Sequence, residues 1–361
     1  MKVLILHPDF RDPGGVAAYC YKLKDKFTLP MDHFITGQRP QEKVLLSKLS
    51  RMIYDYARFV MLLRKNRYDL VHVNPSLDPK SFLRDGIFLL VARMCRKKTI
   101  AFFHGWQKIF ESRLERYGLW VYKFLYGKTN AFIVLSEEVK KIHEGWGFTH
   151  PIYREVTVTE DDDLEGFDIH KTISERQVAE KWRVLFISRI VKEKGIYETI
   201  KAVFLLQDRY PMIELIIAGD GDELDSAKTF VNKNAIPNVI FTGYVKGKEK
   251  KRLFKSAHIF CYPTYYGEGL PLTVTESMSF GLPVLTRPVG GIADFFKNRK
   301  HGFLTHSKNP KVFADFIERL FLDEELYKRI SLFNYRYAQR NFLASQAALR
   351  LEQIYENVLM N

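Results

Sequence analysis

Short apolar runs of strand length alternate with longer segments of helical period along the whole chain, and this alternation limits the fold more than any other feature. The runs are apolar throughout, which is typical of strands buried on both faces of a parallel sheet. Strands that alternate with helices form right-handed βαβ units with helices on both sheet faces. The sequence therefore predicts an α/β fold with doubly wound parallel sheets. The predicted strands are 2–7, 70–74, 99–104, 131–135, 183–188, 214–219, 239–243, 259–263 and 283–286.

Two domains are predicted, because 361 residues exceed what one hydrophobic core usually serves. A polar segment at 156–171 separates the two series of strands and indicates a linker. Its three consecutive aspartates, at 161–163, are interpreted as a solvated charge run, because no strand delivers them to a site where they could hold a metal. The predicted domains are Rossmann-like units at 1–165 and 166–342, followed by a helix at 343–361.

Cysteine usage indicates a reducing compartment, and the hydropathy of the chain indicates that it has no membrane-spanning segment. Cys20, Cys95 and Cys261 lie far apart and match no zinc or redox spacing, so they are predicted to be buried thiols. The N-terminal apolar run is too short for a signal peptide, and no run reaches the roughly 18 residues of a transmembrane helix. We therefore expect a cytoplasmic location.

Positive charge is concentrated in the first half of the chain. The net charge is +14, and residues 39–128 hold 19 Lys and Arg against 7 Asp and Glu, an excess of 12. Such a field favours an anionic partner, whether membrane lipid, nucleic acid or a polyanionic substrate.

One helical pattern within this stretch has two interpretations. Between Lys43 and Lys65, apolar residues recur every three or four positions, with basic residues largely on the other side. This pattern fits a basic helix lying in a membrane interface. It fits equally an ordinary domain helix whose apolar face packs on the core. The apolar positions are Leu45, Leu49, Met52, Tyr56, Val60 and Leu63, and a further basic cluster is Arg93, Arg96, Lys97 and Lys98.

The loops that follow the strands carry the candidate chemistry. Gly14 and Gly15 follow the first predicted strand, where paired glycines let backbone N–H groups approach an anion at a helix N-terminus. A tight turn without a bound anion would have the same sequence, and the spacing of the glycines does not match the fingerprint of dinucleotide-binding proteins.

Arg189 and Lys194 lie on the loop after the strand at 183–188. The planar guanidinium of the arginine and the compact ammonium of the lysine suit binding of a diphosphate. The alternative is a charged loop exposed to solvent.

A third loop and helix carry two carboxylates. Glu268 lies in a glycine-bearing loop, a helix is predicted from about Pro271 to Gly281, and Glu276 falls inside it. One carboxylate could accept hydrogen bonds from sugar hydroxyls and the other from a ribose, while the helix N-terminus and the two cations hold phosphate. Glu276 could instead be a surface acid, but the apolar residues around it predict a covered helix, in which an unpaired acid would be costly.

These ordered motifs resemble those of the retaining GT-B glycosyltransferases of family 4, the "glycosyl transferases group 1" type. Glu268 and Glu276, separated by seven residues, are similar to the family's EX7E motif. The segment 188–195 resembles its Arg/Lys phosphate clamp, and the segments 218–221 and 241–245 resemble its loops around the nucleotide base. One departure is Ala293-Asp294, where the family usually has Pro-Glu, and this puts a donor-binding role for Asp294 in doubt.

The resemblance implies a two-domain GT-B fold with the donor site mainly in the C-terminal domain, the acceptor site mainly in the N-terminal domain, and a C-terminal helix crossing back onto the latter. Glu268, Arg189, Lys194 and the sugar-facing His104 would be catalytic, although a plain core histidine is the alternative for His104. The implied donor-binding residues are Gly15, Ser188, Gly219, Tyr244, Gly269, Leu270, Thr273 and Glu276.

The implied reaction is a retaining transfer without metal or cofactor, from a nucleotide-sugar, expected to be a UDP-sugar, to a lipid-linked or polysaccharide acceptor in surface glycan assembly. An anionic membrane surface is a further expected partner, so the cytoplasmic enzyme would be peripheral at the inner face of the membrane.

Among enzymes, the alternative function is that of an epimerase of similar architecture. A nucleic-acid-binding protein would use the basic stretch but leaves Glu268 and Glu276 unexplained, and an Asp-x-Asp metal site at 220–222 conflicts with the two-domain pattern.

Overall fold

The computed structural model describes residues 1–12, 14–37, 45–267 and 269–360. Contacts within the chain divide it into two compact units. Unit 1 comprises 1–158, 267–270 and 344–361, and unit 2 comprises 159–266 and 271–343. Each unit is an α/β structure around a parallel sheet of six strands, so the predicted fold class is confirmed.

Unit 1 is built on a sheet with strand order β2-β1-β3-β5-β7-β8, in which all pairs are parallel. Its strands are β1 (Val3–His7), β2 (Met31–Ile35), β3 (Leu70–Val73), β5 (Lys98–Phe103), β7 (Ala131–Val134) and β8 (Ile152–Arg154), and a separate short pair is β4 (Ser76–Leu77) with β6 (Gly105–Trp106). Its helices are α1 (Gly15–Leu23), α2 (Leu45–Lys65), α3 (Pro79–Met94), α4 (Lys108–Arg113), α5 (Leu119–Tyr126), α6 (Glu137–Gly145) and α15 (Ala344–Met360), with a π-helical turn at Leu114–Gly118.

Helix α2 uses its apolar stripe in the core of unit 1. Phe59 and Leu63 are buried in the main hydrophobic cluster, and Tyr56 packs against it. These contacts favour the ordinary domain helix over the membrane-interface helix for the described part of the stripe. Lys43 and the side chains of Leu45, Lys48 and Leu49 lie outside the described residues.

The last helix, α15, is held in unit 1 by buried polar contacts. The carboxylate of Glu352 accepts hydrogen bonds from the backbone N–H of Thr28 at 2.6 Å and of Leu29 at 3.0 Å. Arg350 forms a bidentate ion pair with Glu155, with Nη2–Oε2 at 2.8 Å. Such paired and hydrogen-bonded charges hold a helix in one register, because leaving either partner buried alone would be costly.

Unit 2 repeats the architecture with strand order β11-β10-β9-β12-β13-β14, again all parallel. Its strands are β9 (Trp182–Ile187), β10 (Ile213–Ala218), β11 (Val239–Gly243), β12 (Ile259–Tyr262), β13 (Val284–Thr286) and β14 (Gly302–Leu304). Its helices are α7 (Ile169–Gln177), α8 (Ile196–Gln207), α9 (Leu224–Lys233), α10 (Gly247–Ser256), α11 (Leu272–Ser279), α12 (Ile292–Phe295), α13 (Pro310–Leu322) and α14 (Glu324–Asn341), with 3₁₀ turns at Asp161–Leu164 and Lys192–Lys194.

The polar segment between the two series of strands contains a 3₁₀ turn at Asp161–Leu164 and makes side-chain contacts. Asp163 pairs with Lys251 at 3.0 Å, and Asp168 caps the N-terminus of α7. No group of three or more metal-ligating side chains occurs among the described residues, and no helix within them is long and apolar enough to cross a membrane. Cys20 and Cys261 are buried and Cys95 is half-buried.

Candidate active site

Three loops of unit 2 are joined by backbone hydrogen bonds where β9, β10 and β11 end. The N–H of Ile190 donates to the carbonyl of Asp220 at 2.8 Å, and the N–H of Gly219 donates to the carbonyl of Gly243 at 2.8 Å. Gly219 has a φ of +139°, and a Cβ there would lie 1.8 Å from the carbonyl oxygen of Ser188. Only glycine fits such a crossing, so this loop explains the Gly-Asp-Gly segment that the sequence singled out.

Arg189 and Lys194 meet over one aromatic ring. The guanidinium carbon of Arg189 lies 5.5 Å from the ring centre of Tyr266, and the Nζ of Lys194 lies 4.5 Å from the same centre. Lys194 is only 8% exposed and also lies 5.7 Å from the ring centre of Tyr262. The predicted pair of cations is therefore brought together at the carboxyl ends of β9 and β12, on an aromatic platform that favours positive charge.

The loop that carries Lys194 is fixed by the segment after β12. The N–H of Tyr265 donates to the carbonyl of Glu193 at 2.8 Å. Gly195 has a φ of +85°, and a Cβ there would lie 2.7 Å from the carbonyl oxygen of Pro263. The 3₁₀ turn at Lys192–Lys194 is thus closed by a left-handed glycine and held against β12, which presets the position of the lysine.

Glu276 is buried in α11 and paired with a cation. It is 3% exposed, and its Oε2 lies 2.6 Å from the Nζ of Lys250 on α10. The surface-acid interpretation is therefore wrong, because the helix is covered as its apolar residues predicted. The sequence did not identify Lys250, which supplies the partner that a buried carboxylate requires. Thr273 lies half-buried in the first turn of the same helix.

The remaining predicted residues of unit 2 lie along the same sheet edge. The hydroxyl of Ser188 lies 3.5 Å from the hydroxyl of Tyr262. Tyr244 follows Gly243 directly and is exposed. Through the Gly219–Gly243 hydrogen bond, these positions are adjacent at the ends of β9, β10 and β11. Glu268 lies outside the described residues.

A second pair of cations, which the sequence did not single out, lies on the neighbouring tyrosine. The Nζ of Lys308 lies 3.9 Å from the ring centre of Tyr265, and the guanidinium carbon of Arg287 lies 5.6 Å from it. Arg287 follows β13 and donates from Nη2 to the carbonyl of His306 at 2.8 Å. The rings of the consecutive residues Tyr265 and Tyr266 are therefore each contacted by two positively charged side chains.

His104 lies at the end of β5 in unit 1. Its Nε2 lies 2.8 Å from Oδ1 of Asn74, whose Nδ2 donates to the carbonyl of Leu6 at 2.9 Å. This amide orientation makes Nε2 the protonated nitrogen and leaves Nδ1 as the acceptor of the ring. Burial, together with the neighbouring His72, lowers the pKa of His104 to about 3, so the ring is neutral at physiological pH.

Gly269 and Leu270 lie in unit 1, and Gly269 lies beside His104. A Cβ at Gly269 would lie 2.5 Å from the carbonyl oxygen of His104, and Leu270 is buried. Gly15 begins α1 after Gly14, whose N–H donates to Oδ1 of Asp12 at 2.7 Å. In unit 1 the structure thus brings Gly269 and Leu270 together with His104, and it places Gly15 at the open N-terminus of α1.

A cavity of about 650 Å³ in unit 2 lies elsewhere. It is lined in part by Arg183 and Glu214, which form an ion pair at 3.0 Å near the beginnings of β9 and β10. Ligands of open α/β sheets bind at the carboxyl ends of strands. This cavity at the opposite end is therefore not the candidate site.

Comparison with known proteins places both halves of the chain among glycosyltransferases. The family model "Glycosyl transferases group 1" matches residues 170–336, and the model "Glycosyltransferase Family 4" matches residues 14–154. The putative glycosyltransferase YtcC of Bacillus subtilis (strain 168) is 25% identical over 320 residues, which cover 82% of this chain and 74% of that protein.

Two further comparisons concern a named pathway and a solved structure. The capsular polysaccharide biosynthesis glycosyltransferase CapM of Staphylococcus aureus is 26% identical over 229 residues, covering 62% of this chain and 57% of CapM. The crystal structure of Anabaena Alr3699/HepE in complex with UDP and glucose matches with a TM-score of 0.72 at 18% identity, covering 99% of both chains. At that identity the structural match establishes the fold.

Proposed function

Because the chain is a glycosyltransferase of the GT-B fold whose halves match the group 1 and family 4 models, we propose that it transfers a sugar from a UDP-sugar to a lipid-linked or polysaccharide acceptor. The transfer would retain the anomeric configuration and need no metal. The observation that carries this proposal is the convergence of Arg189 and Lys194 on Tyr266.

The two cations suit the charge that develops in this reaction. As the glycosidic bond breaks, the departing diphosphate gains negative charge, and groups already aimed at that charge lower the barrier. Lys194 is buried, so its charge acts in a medium of lower dielectric than water. Arg189 is exposed on the same ring and can bind two phosphate oxygens with its planar fork. Together they supply the neutralisation for which other transferases use a metal ion.

Glu276 and His104 would bind hydroxyl groups of the donor. A carboxylate accepts two hydrogen bonds from neighbouring hydroxyls, which suits the ribose of a nucleotide. The ion pair with Lys250 holds the Glu276 carboxylate in place. The neutral ring of His104 offers Nδ1 as an acceptor to a sugar hydroxyl. Glu268 would face the transferred sugar, a role that rests on the motif alone.

The choice of UDP and of a surface glycan as product draws on the comparisons. The solved structure of HepE holds UDP and glucose, and CapM is named for capsular polysaccharide biosynthesis. An acceptor carried on a lipid would place this enzyme at a membrane surface.

Thermal melting with a panel of UDP, GDP and ADP and of UDP-glucose tests the donor. We expect UDP and UDP-glucose to raise the melting temperature most, because a ligand that binds only the folded state stabilises it by mass action. The panel is repeated with EDTA and with Mg²⁺, and the stabilisation should not change. Stabilisation by none of these nucleotides would refute the donor assignment.

Slow hydrolysis of UDP-glucose, followed by NMR without an acceptor, tests the stereochemistry. A retaining enzyme should release α-glucose first, whereas initial β-glucose would refute retention. Formation of an isomeric UDP-sugar would instead identify an epimerase.

A further inference from the structure

His104 belongs to a row of ring side chains on one face of the sheet in unit 1. Its ring stacks on that of Phe102, with the ring centres 4.1 Å apart and the planes at 28°. Phe102 in turn stacks on His72 of β3, at 6.0 Å and 29°. The ring of Tyr19 on α1 lies 4.8 Å from that of His104. These contacts fix the plane of the His104 ring, but the nitrogen that carries its proton is chosen by hydrogen bonds.

The amide of Asn74 makes that choice. Its Oδ1 accepts from Nε2 of His104 at 2.8 Å, and its Nδ2 donates to the carbonyl of Leu6 at 2.9 Å. If the amide turned over, an N–H group would face Nε2 of His104, and the ring proton would have to move to Nδ1. The orientation of one buried amide therefore decides whether Nδ1 of His104 accepts or donates.

The same amide oxygen meets a second histidine. His72 lies two residues before Asn74 and is 2% exposed. Burial lowers the pKa of His72 to about 3, and a hydrogen-bonding interaction with the side chain of Asn74 partly opposes this. Only an acceptor stabilises the charged ring, so the interacting atom of Asn74 is Oδ1. Nε2 of His72 makes no hydrogen bond of ordinary length within the described residues, so this interaction is longer than the bond to His104.

Tyr355 on α15 fixes the proton of His72. Its hydroxyl oxygen lies 2.6 Å from Nδ1 of His72, and both side chains are buried. Because Nε2 of His72 must carry the proton to interact with an oxygen, Nδ1 is the acceptor and the tyrosine hydroxyl is the donor. The ion pair of Arg350 and the hydrogen bonds of Glu352 hold α15 in register, so the position of this donor is preset.

We propose that Tyr355 is a positioning residue that, through His72 and Asn74, keeps the proton of His104 on Nε2. Without the hydroxyl, the two tautomers of His72 become comparable in energy. In the one protonated on Nδ1, the Nε2 lone pair of His72 faces the amide oxygen and repels it. This repulsion favours the amide that is turned over, and His104 is then protonated on Nδ1.

The consequence for the reaction rests on the proposed function. There Nδ1 of His104 accepts a hydrogen bond from a sugar hydroxyl. A ring protonated on Nδ1 donates at the position where it should accept, so the sugar loses one of its contacts. Tyr355 would thus act on the reaction without touching the substrate.

Nitrogen-15 NMR of the histidine rings tests the proposal directly. In the unaltered protein, Nε2 of His104 should resonate as a protonated nitrogen and Nδ1 as an unprotonated one. In Tyr355→Phe both nitrogens should shift toward intermediate values, because two tautomers exchange. The signals that are lost in His104→Gln assign the ring.

Tyr122→Phe is the matched control. Tyr122 and His143 form a second buried pair in unit 1, with the hydroxyl oxygen 2.7 Å from Nε2 of the histidine. The control therefore removes the same hydroxyl from the same kind of pair on a different helix, α5. It should leave the nitrogen signals of His104 and the turnover unchanged, and thermal melts establish that both variants are folded.

Hydrolysis of UDP-glucose measures the effect on the reaction. Tyr355→Phe should lower kcat about tenfold, which is the net value of one hydrogen bond. The affinity for UDP, which lacks the sugar, should stay the same by calorimetry. Adding Tyr355→Phe to His104→Gln should lower kcat no further, because both changes act on the same hydrogen bond.

Several outcomes would overturn the assignment. These are unchanged nitrogen signals of His104 in Tyr355→Phe, equal changes in Tyr122→Phe, or a further tenfold loss of kcat in the double variant. A change of tautomer without loss of turnover would support the positioning role and count against the proposed role of His104. The NMR result does not depend on turnover, so a protein that hydrolyses no UDP-glucose would count against the proposed function alone.

Discussion

Replacing Lys194 with methionine tests the proposed diphosphate clamp at its most buried charge. A unit charge 4 Å from a phosphate oxygen interacts with it by about 4 kcal/mol at an effective dielectric constant of about 20, and by about 1 kcal/mol in water. Lys194 is 8% exposed, so the larger value applies. The expected loss in kcat is therefore about a thousandfold, since about 1.4 kcal/mol is a factor of ten.

Lys192 provides a matched control in the same turn. Its side chain is exposed, so the smaller value applies and Lys192→Met should lower kcat about fivefold at most. Turnover of UDP-glucose is measured by release of UDP, and urea unfolding establishes whether each variant is folded. Near-normal turnover in Lys194→Met, or equal losses in the two variants, would refute the clamp.

Three further predictions concern Tyr266, Gly219 and His104. Tyr266→Leu should weaken UDP binding more than Tyr266→Phe, because only phenylalanine keeps the ring under both cations; equal affinities by calorimetry would contradict this. Gly219→Ala should lower the free energy of unfolding by about 3 kcal/mol or more in urea unfolding, because the new Cβ would meet a carbonyl oxygen. The control is Gly145→Ala in α6, which has open space around its Cβ and should be neutral or stabilising. Because burial lowers the pKa of His104 to about 3, the unfolded chain binds the extra proton first, so His104 should contribute about 2 kcal/mol to the fall in stability from pH 7 to pH 5; His104→Gln should reduce the fall by that share, while the other buried histidines maintain the rest.

The buried strands were predictable because their apolar runs are continuous. All nine predicted strands are present, with ends within one or two residues. The strands that were missed lie at sheet edges. Strand β2 (Met31–Ile35) contains Asp32 and His33, and β8 and β14 have only three residues each. Edge strands need not be apolar on both faces, so their pairing depends on the assembled sheet rather than on local sequence.

Proximity within the candidate site was easiest to predict for residues that share a loop. Arg189 and Lys194 are five positions apart on one strand-to-helix connection, so topology alone brings them to one sheet edge. Tyr266, which joins them, comes from the connection after β12 and carries no signal of its own. For α2 the periodicity showed an apolar face, but only the tertiary packing of Phe59 and Leu63 showed that the core covers it.

The existence of a cationic partner for Glu276 could be predicted from the sequence, but its identity as Lys250 could not. A carboxylate inside a covered helix implies a cation nearby, because the charge is costly to bury alone. Helix α10 offers five Lys and Arg residues within ten positions, and composition does not distinguish among them. Phe254 is buried in that helix, and Lys250 and Lys251 precede it by four and three positions, so helical spacing places both near its face. Spacing narrows the choice to these two, and tertiary packing decides between them: Lys250 meets Glu276 at 2.6 Å, whereas Lys251 pairs with Asp163 at 3.0 Å.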